Sequence, residues 1–197
     1  MGGNQTAPLL NDVWVLTDAT GIPRLTALSP AKIWIGLKNS DAVGLRVDLK
    51  AEVYVDNTLI GSGQLDNVST GSSGFNNALL RTIPLALADG AAPLPPGTEL
   101  AIEVSVRRTC FGAGHNSGTV RLWYNGPAID SGPTRNAGSR FDATIDGETT
   151  NFFLRSGFML SETTGTPRMS LDVAVNSTAA CPGRPYMSFG TWSMALP

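Results

Sequence analysis

The chain has 197 residues, a formal charge of -2, 42% hydrophobic residues and 15% charged ones, the last well below the roughly 25% of ordinary soluble domains. A near-neutral chain without a clustered basic face has no electrostatic footprint for nucleic acid, and no apolar run approaches the ~18 residues of a membrane span. Gly, Ser, Thr and Asn fill the space left by charge, which suits many strands joined by tight turns, and the length fits one all-β domain, or one domain with an appendage.

Residues 1–29 differ from the rest. Gly2 and Gly3 are followed by Asn11-Asp12-Val13-Trp14-Val15-Leu16, a turn at residues 18–21 and an extended run from Arg24 to Leu28. A diglycine followed by NDVWVLT at this spacing resembles the back half of a kelch repeat, in which a Trp-bearing strand follows the diglycine and a short outer strand closes the blade. The resemblance covers about half of a ~50-residue blade. Half a blade cannot bury its own faces, so the resemblance implies that a propeller once preceded this segment, or still does in the full gene product; the alternative is an ordinary N-terminal hairpin. Met-Gly-Gly-Asn lacks the basic start and apolar stretch of a signal peptide. Ser29-Pro30 is the expected boundary, dividing 1–29 from a domain at 30–197.

Beyond Pro30 the segments read as successive strands. Residues 32–37 put Ile33, Ile35 and Leu37 on one face and Trp34 on the other. Residues 39–44 turn the chain into LRVDLKAEVYV, residues 45–55, where Leu45, Val47, Leu49, Ala51, Val53 and Val55 alternate without error with Arg46, Asp48, Lys50, Glu52 and Tyr54. That period of two predicts a strand packing a core on one side and wet on the other, with a self-balancing ladder of charges outside. Asp56-Asn57 form a two-residue hairpin loop, and residues 58–64 return. Residues 66–75 (DNVSTGSSGF) read as a polar loop long enough to carry function. One strand is expected from Leu79 to Leu87, with Pro84 marking an edge or bulge, then a stiff Pro-rich connector at 90–97.

Leu100, Ile102, Val104 and Val106 repeat the alternating pattern, residues 109–117 form a loop, and 119–124 a strand. Residues 125–139 are a Gly/Pro/Ser-rich excursion. Asp146-Gly147, flanked by strands at 140–145 and 148–154, is the strongest short hairpin signal in the chain. A short strand at 158–160, another at 169–175 and a last one at 187–194 bring the count after Pro30 to about ten. Turn signals every 8–12 residues predict an all-β, two-sheet antiparallel β-sandwich of jelly-roll type, preceded by the short hairpin segment.

From Ser29 onward, SPAKIWIGLKNSDAVGLRVDLKAEV, GSSGFNNALL, HNSGTVRLWYN and the closing FGTW resemble uncharacterised β-sandwich modules of bacterial secreted or surface proteins. That resemblance implies an extracellular or cell-surface context and no particular activity. Cys110 and Cys181 each follow a strand-like run; two free thiols and a single disulfide both remain open. Sequons at Asn4, Asn67 and Asn176 are what chance produces in a chain so rich in Asn, Ser and Thr.

Chemistry-bearing residues are sparse. His115 is the only histidine, so a Ser-His-Asp arrangement would have to use it, with Ser117 and Asp142 as the nominal partners, and no G-x-S-x-G elbow presents a serine. Zinc spacing is absent and no cofactor is implied. Structural calcium stays open through Asp41, Asp66, Asp130 and Asp146, which sit in turns without a D-x-D-x-D run. Glu52 and Glu103 read as a solvated sheet face rather than a glycosidase pair. The best candidate constellation is aromatic and polar: Trp34, Trp123 and Arg121 on the outward faces of two strands, with His115 and Asn116 at a loop rim. Outward Trp can stack on a sugar or anchor a partner while Arg and Asn add directional hydrogen bonds; the competing expectation is that loops or the N-terminal segment cover these rings. The reading is a non-catalytic recognition or adhesion module for a glycan or cell-surface partner. A structural spacer or self-assembling unit is the alternative, and a hydrolase ranks third.

Overall fold

A computed structural model describes residues 21–88, 92–111, 115–125, 138–155, 169–176, 181 and 183–196. The expected Trp14-bearing strand, the excursion at 126–137 and the short strand at 158–160 lie outside them. The described residues form thirteen strands: β1 (Arg24–Leu28), β2 (Ala31–Leu37), β3 (Arg46–Val55), β4 (Thr58–Ser69), β5 (Leu79–Ile83), β6 (Ala86–Leu87), β7 (Ala92–Pro93), β8 (Glu99–Arg108), β9 (Thr119–Tyr124), β10 (Arg140–Ile145), β11 (Glu148–Phe153), β12 (Met169–Ala174) and β13 (Met187–Ala195). They form two antiparallel sheets packed as a sandwich. No helix among the described residues is long and apolar enough to cross a membrane.

The smaller sheet has the order β13-β8-β3-β4-β6, with β3 at its centre. The alternation along β3 explains that place: Val47, Leu49, Ala51 and Val53 all face the core at 0% exposure. Asp56 and Asn57 both take positive φ, 46° and 65°, the conformation a two-residue hairpin loop with the twist of its strands requires. β4 then runs on to Ser69, five residues past the expected end. The polar loop is therefore residues 70–78 rather than 66–75.

The larger, eight-stranded sheet is built along β1 and β2, which follow one another as a single kinked ribbon. One edge of the ribbon carries β5 (Ala31↔Ile83 through Ile35↔Leu79) and then β7 (Arg24↔Pro93). The other carries β9 (Leu37↔Val120 through Trp34↔Trp123) and then β10 (Lys32↔Arg140, Leu28↔Ala143). β12 adds outside β9 and β11 outside β10. Leu25 is fully buried in the shared core. The expected boundary at Ser29-Pro30 thus falls between two strands of one sheet, and Arg24–Leu28 belongs to the sandwich.

The expected single strand over 79–87 is divided between the sheets. The chain leaves the larger sheet after Ile83 and joins β4 of the smaller one at Ala86 and Leu87, with Gly61↔Leu87 and Ser62↔Ala86 in register. Pro84, which has no N–H to lend a ladder, sits at the crossing. Two glycines of β4 make room for it. A Cβ on Gly63 would lie 1.5 Å from the Pro84 carbonyl oxygen, and one on Gly61 would lie 2.5 Å from Leu28 Cδ1 and 2.9 Å from the Ala86 carbonyl oxygen. The crossing is possible only where β4 has no side chain.

Candidate functional site

One end of the sandwich gathers several of the connections. There β2 passes to β3 through a 3₁₀ turn at Ser40–Ala42, β4 to β5 through residues 70–78, and β8 to β9 through residues 109–118, and β12 ends beside them. Backbone bonds tie the segments together: Lys38 N–H donates to the Thr119 carbonyl (2.9 Å), Leu37 N–H to Ser72 (3.0 Å) and Val175 N–H to Gly118 (2.8 Å). Gly118 N–H donates to Asn176 Oδ1 at 3.1 Å.

Residues 70–78 form an arch with its own internal bonding. Ser72 N–H donates to the Asn77 carbonyl, Asn77 N–H to Gly74 and Ala78 N–H to Phe75, while the Asn77 side-chain amide donates to the Ser73 carbonyl at 2.8 Å. Gly71 and Gly74 both take φ of +79°. At Gly71 a Cβ would also lie 2.3 Å from the Asn77 carbonyl oxygen, so the tight turn admits glycine alone. The arch presses Phe75 onto the outer face of the larger sheet, with ring centroids 5.3 Å from Trp34 and 5.8 Å from Trp123.

That contact decides the fate of the predicted aromatic surface. Trp34 is outward on β2, as its alternation requires, but only 5% exposed; the arch makes it a small outer core rather than a contact residue. Trp123 is half-buried. Its indole N–H is buried with no acceptor among the described residues. Arg121 is committed elsewhere: Nε and Nη2 donate to the two oxygens of Asp172 at 2.6 and 2.8 Å, and its guanidinium lies 5.5 Å from the Trp123 ring. The hydrogen bond from Arg121, with its charge and that of Lys38 (Nζ 3.6 Å away), holds the Asp172 carboxyl below the ordinary range. A guanidinium so engaged is a brace between β9 and β12, not a free donor.

The loop-rim residues fare differently. His115 is exposed and lies against Gly44, where a Cβ would be 3.6 Å from its Cδ2. Asn116 accepts from Arg108 Nη1 through its carbonyl (2.7 Å) and its side-chain oxygen (3.0 Å). The nominal Ser117–His115–Asp142 arrangement is not assembled. The Asp142 carbonyl pairs with Ser29, whereas Thr119, two residues after Ser117, pairs with Lys38. Ser29 and Lys38 lie beyond opposite ends of β2, roughly 30 Å apart at strand rise. Asp142 is raised above the ordinary carboxylate range by burial, against the nearby charges of Arg140 and Lys32. Among the described residues, no group of three or more His, Cys, Asp or Glu is placed to hold a metal ion.

Between residues 43–45, 69–72 and 76–79 lies an open cleft of about 470 Å³. It occupies the same end as His115, and its walls are the arch on one side and the β2–β3 connection on the other. Ser69, Thr70, Ser72, Asn76 and Asn77 line it together with Val43 and Leu79. No ionisable side chain lines it.

No protein-family model, curated protein or solved structure matches this chain. The site is therefore read from its own chemistry.

The outer face of the smaller sheet holds a second cluster, and it corrects the expected wet ladder. Asp48 is 0% exposed; it accepts from Arg107 Nε at 2.8 Å and from the Asn67 backbone N–H at 2.9 Å. The Tyr186 ring lies 4.5 Å from the Arg107 guanidinium. Its hydroxyl is buried without a hydrogen-bond partner among the described residues. Lys50 and Glu52 do pair on this face, at 2.7 Å. Tyr186 is brought there by the segment after Cys181. The Cys110–Cys181 disulfide, with Cα atoms 5.7 Å apart, ties that segment to the end of β8, and Arg184 Nη1 donates to the Thr109 carbonyl at 2.7 Å.

Sequence reasoning missed Phe75, Asp172, Asp48 and Tyr186 as partners, because each contact crosses tens of residues. The polar run ending in Phe75 was a usable signal: an aromatic closing a Ser/Gly loop has to bury its ring somewhere.

Proposed function

We propose that this chain is a non-catalytic recognition or adhesion module of an exported bacterial protein, engaging a glycan or cell-envelope partner through the loop-bearing end of the sandwich. The observation that carries this reading is the cleft: Ser, Thr, Asn and apolar residues side by side, held by an internally bonded arch on a rigid sheet scaffold, which is where binding residues concentrate in β folds. The disulfide supports an oxidising compartment, and the diglycine and NDVWVLT segment supports a place in a longer protein of several β modules. Screening the folded chain against a glycan array and purified cell-envelope polysaccharides tests the reading; binding abolished by replacing residues 72–77 with a short glycine-serine linker supports it, and no binding to any of them rejects it.

A structural role is the second reading, favoured by β13, a nine-residue strand that pairs with β8 alone among the described strands. An open edge of that length is a template for strand addition. Concentration-dependent association on sizing, abolished by Thr191→Pro on β13, would favour it.

A further inference from the structure

We infer that Arg46 and Arg81 form an oxyanion subsite beside the cleft, so that the glycan engaged there is an acidic one, held through a carboxylate or sulfate group; this rests on the recognition reading above. The first argument is placement. Arg81 donates to the Ser69 carbonyl through Nε (3.0 Å) and Nη2 (2.8 Å), and Nη2 also reaches Ser69 Oγ (2.5 Å). Ser69 is part of the cleft wall, as is Leu45, the residue before Arg46. Arg46 is exposed and pairs with Ser69 across the β3–β4 ladder. Its Nε and Nη2 donate to the Asn67 side-chain oxygen and carbonyl, both at 2.6 Å. Both guanidiniums are thus fastened to residues 67–69, the end of β4 that runs into the cleft wall.

The second argument is uncompensated charge. Arg107 and Arg121 face carboxylates, of Asp48 and Asp172. Arg46 and Arg81 bond neutral oxygens only, and among the described residues neither has a carboxylate within ion-pair distance. The acidic side chains nearest on β3 and β4 are engaged, Asp48 by Arg107 and Asp66 by Gln64 Nε2. Partial burial and the positive charge of Arg46 push the Arg81 guanidinium down from its ordinary value. It stays a cation at physiological pH, so two like charges are held near one another, and an oxyanion between them turns repulsion into attraction. Arg108, at the same end, likewise bonds only the two oxygens of Asn116. Against these cations stands the exposed Asp41 of the 3₁₀ turn.

The third argument is donor supply. The cleft wall itself has few groups to offer: Thr70 Oγ1 donates to the Leu45 carbonyl and the Asn77 amide to Ser73. Nη1 of Arg46 and of Arg81, by contrast, has no acceptor among the described residues. Guanidinium N–H groups match the oxygens of carboxylate and sulfate, and the bonds to Asn67 and Ser69 orient them before a ligand arrives.

The test measures binding of the folded chain to uronate-bearing and sulfated polysaccharides, to their uncharged counterparts and to poly-glutamate. Arg46→Glu reverses one charge of the subsite and Arg81→Gln removes the other. Arg24→Gln removes an equal charge from the start of β1, at the far end of the sandwich. The expected result is binding to an acidic polysaccharide at least about tenfold tighter than to its uncharged counterpart, weakened about tenfold or more by each subsite variant and unchanged by Arg24→Gln. Arg46→Glu, at an exposed position, carries the test by itself if Arg81→Gln lowers the melting temperature. Uncharged polymer bound as tightly as acidic polymer overturns this inference and leaves the recognition reading standing. Acidic binding that Arg46→Glu retains, or that Arg24→Gln weakens equally, overturns the assignment to the two arginines. Poly-glutamate bound as tightly as the polysaccharides overturns the glycan class. No binding to any of them removes the recognition reading and this inference together.

Discussion

Tyr186 shows what one side chain can report about this molecule. Burial pushes its phenol up to about 12, with Asp48 and Asp66 adding to the shift and Arg107 opposing it. Because the folded value lies above the unfolded one of about 10, its contribution to stability is complete below that pH and is lost as pH rises through 12. Ultraviolet titration should therefore show a tyrosine ionising near pH 12 that vanishes in Tyr186→Phe; an unchanged titration in that variant would contradict the placement of the ring. Asp48 beneath it is the more expensive residue to lose. Asp48→Ala leaves the Arg107 guanidinium and the Asn67 N–H without their acceptor, and urea unfolding should register a loss of about 3 kcal/mol. Replacing both ends of the pair, as Asp48→Leu with Arg107→Met, should recover most of that loss, since the penalty belongs to the orphaned charge and not to the missing attraction.

At the scale of elements, the crossing from β5 to β6 is the part of the fold least tolerant of change. A methyl group on Gly63 would overlap the Pro84 carbonyl at 1.5 Å, and both neighbours are backbone, so neither can swing aside. Gly63→Ala should destabilise the domain by at least about 3 kcal/mol, measured as a fall in the denaturant midpoint. Gly147→Ala is a useful contrast, since nothing lies within 4 Å of its Cβ position and only its φ of +88° resists; its cost should be about 1 kcal/mol. Strands with an unbroken alternation, or flanking the Asp146-Gly147 turn, were legible from residues alone: β3, β8, β9, β10, β11 and β12 start and stop within a residue or so of their expected ends. Residues 79–87 were not, because the alternation of Leu79, Arg81, Ile83, Leu85 and Leu87 continues through a change of sheet. Period two says which face a side chain takes, but not which sheet owns the face.

For the whole molecule, the Cys110–Cys181 bond closes a loop between residues 71 apart in sequence. Chain entropy alone assigns such a closure about 4 kcal/mol. Reduction, or Cys110→Ser with Cys181→Ser, should lower the unfolding free energy by about that amount. It should also bring the Tyr186 ionisation down toward 10, because Tyr186 lies only five residues beyond the tether. A reduced protein that kept both its stability and its late tyrosine would show the tether to be idle. The same long-range logic decided the candidate site. Trp34 and Trp123 were correctly expected on an outward face, yet Phe75, far along the chain, roofs Trp34, and Asp172 takes the hydrogen bonds Arg121 would have offered a ligand.

What the amino-acid sequence determined by itself is the local physics: all-β architecture, the inward set of each strand, the Asp56-Asn57 and Asp146-Gly147 turns, and a composition poor in ionisable chemistry. Each of these follows from the side chain's period or from a backbone conformation that few residues can adopt. Only the tertiary structure decided that Arg24–Leu28 belongs to the sandwich, that the two cysteines are joined, that Asp48 is buried, and that the cleft lies beside the arch rather than on the tryptophan face. Those outcomes depend on which distant segment covers which surface, and that is a matter of packing between strands whose alternating patterns look the same.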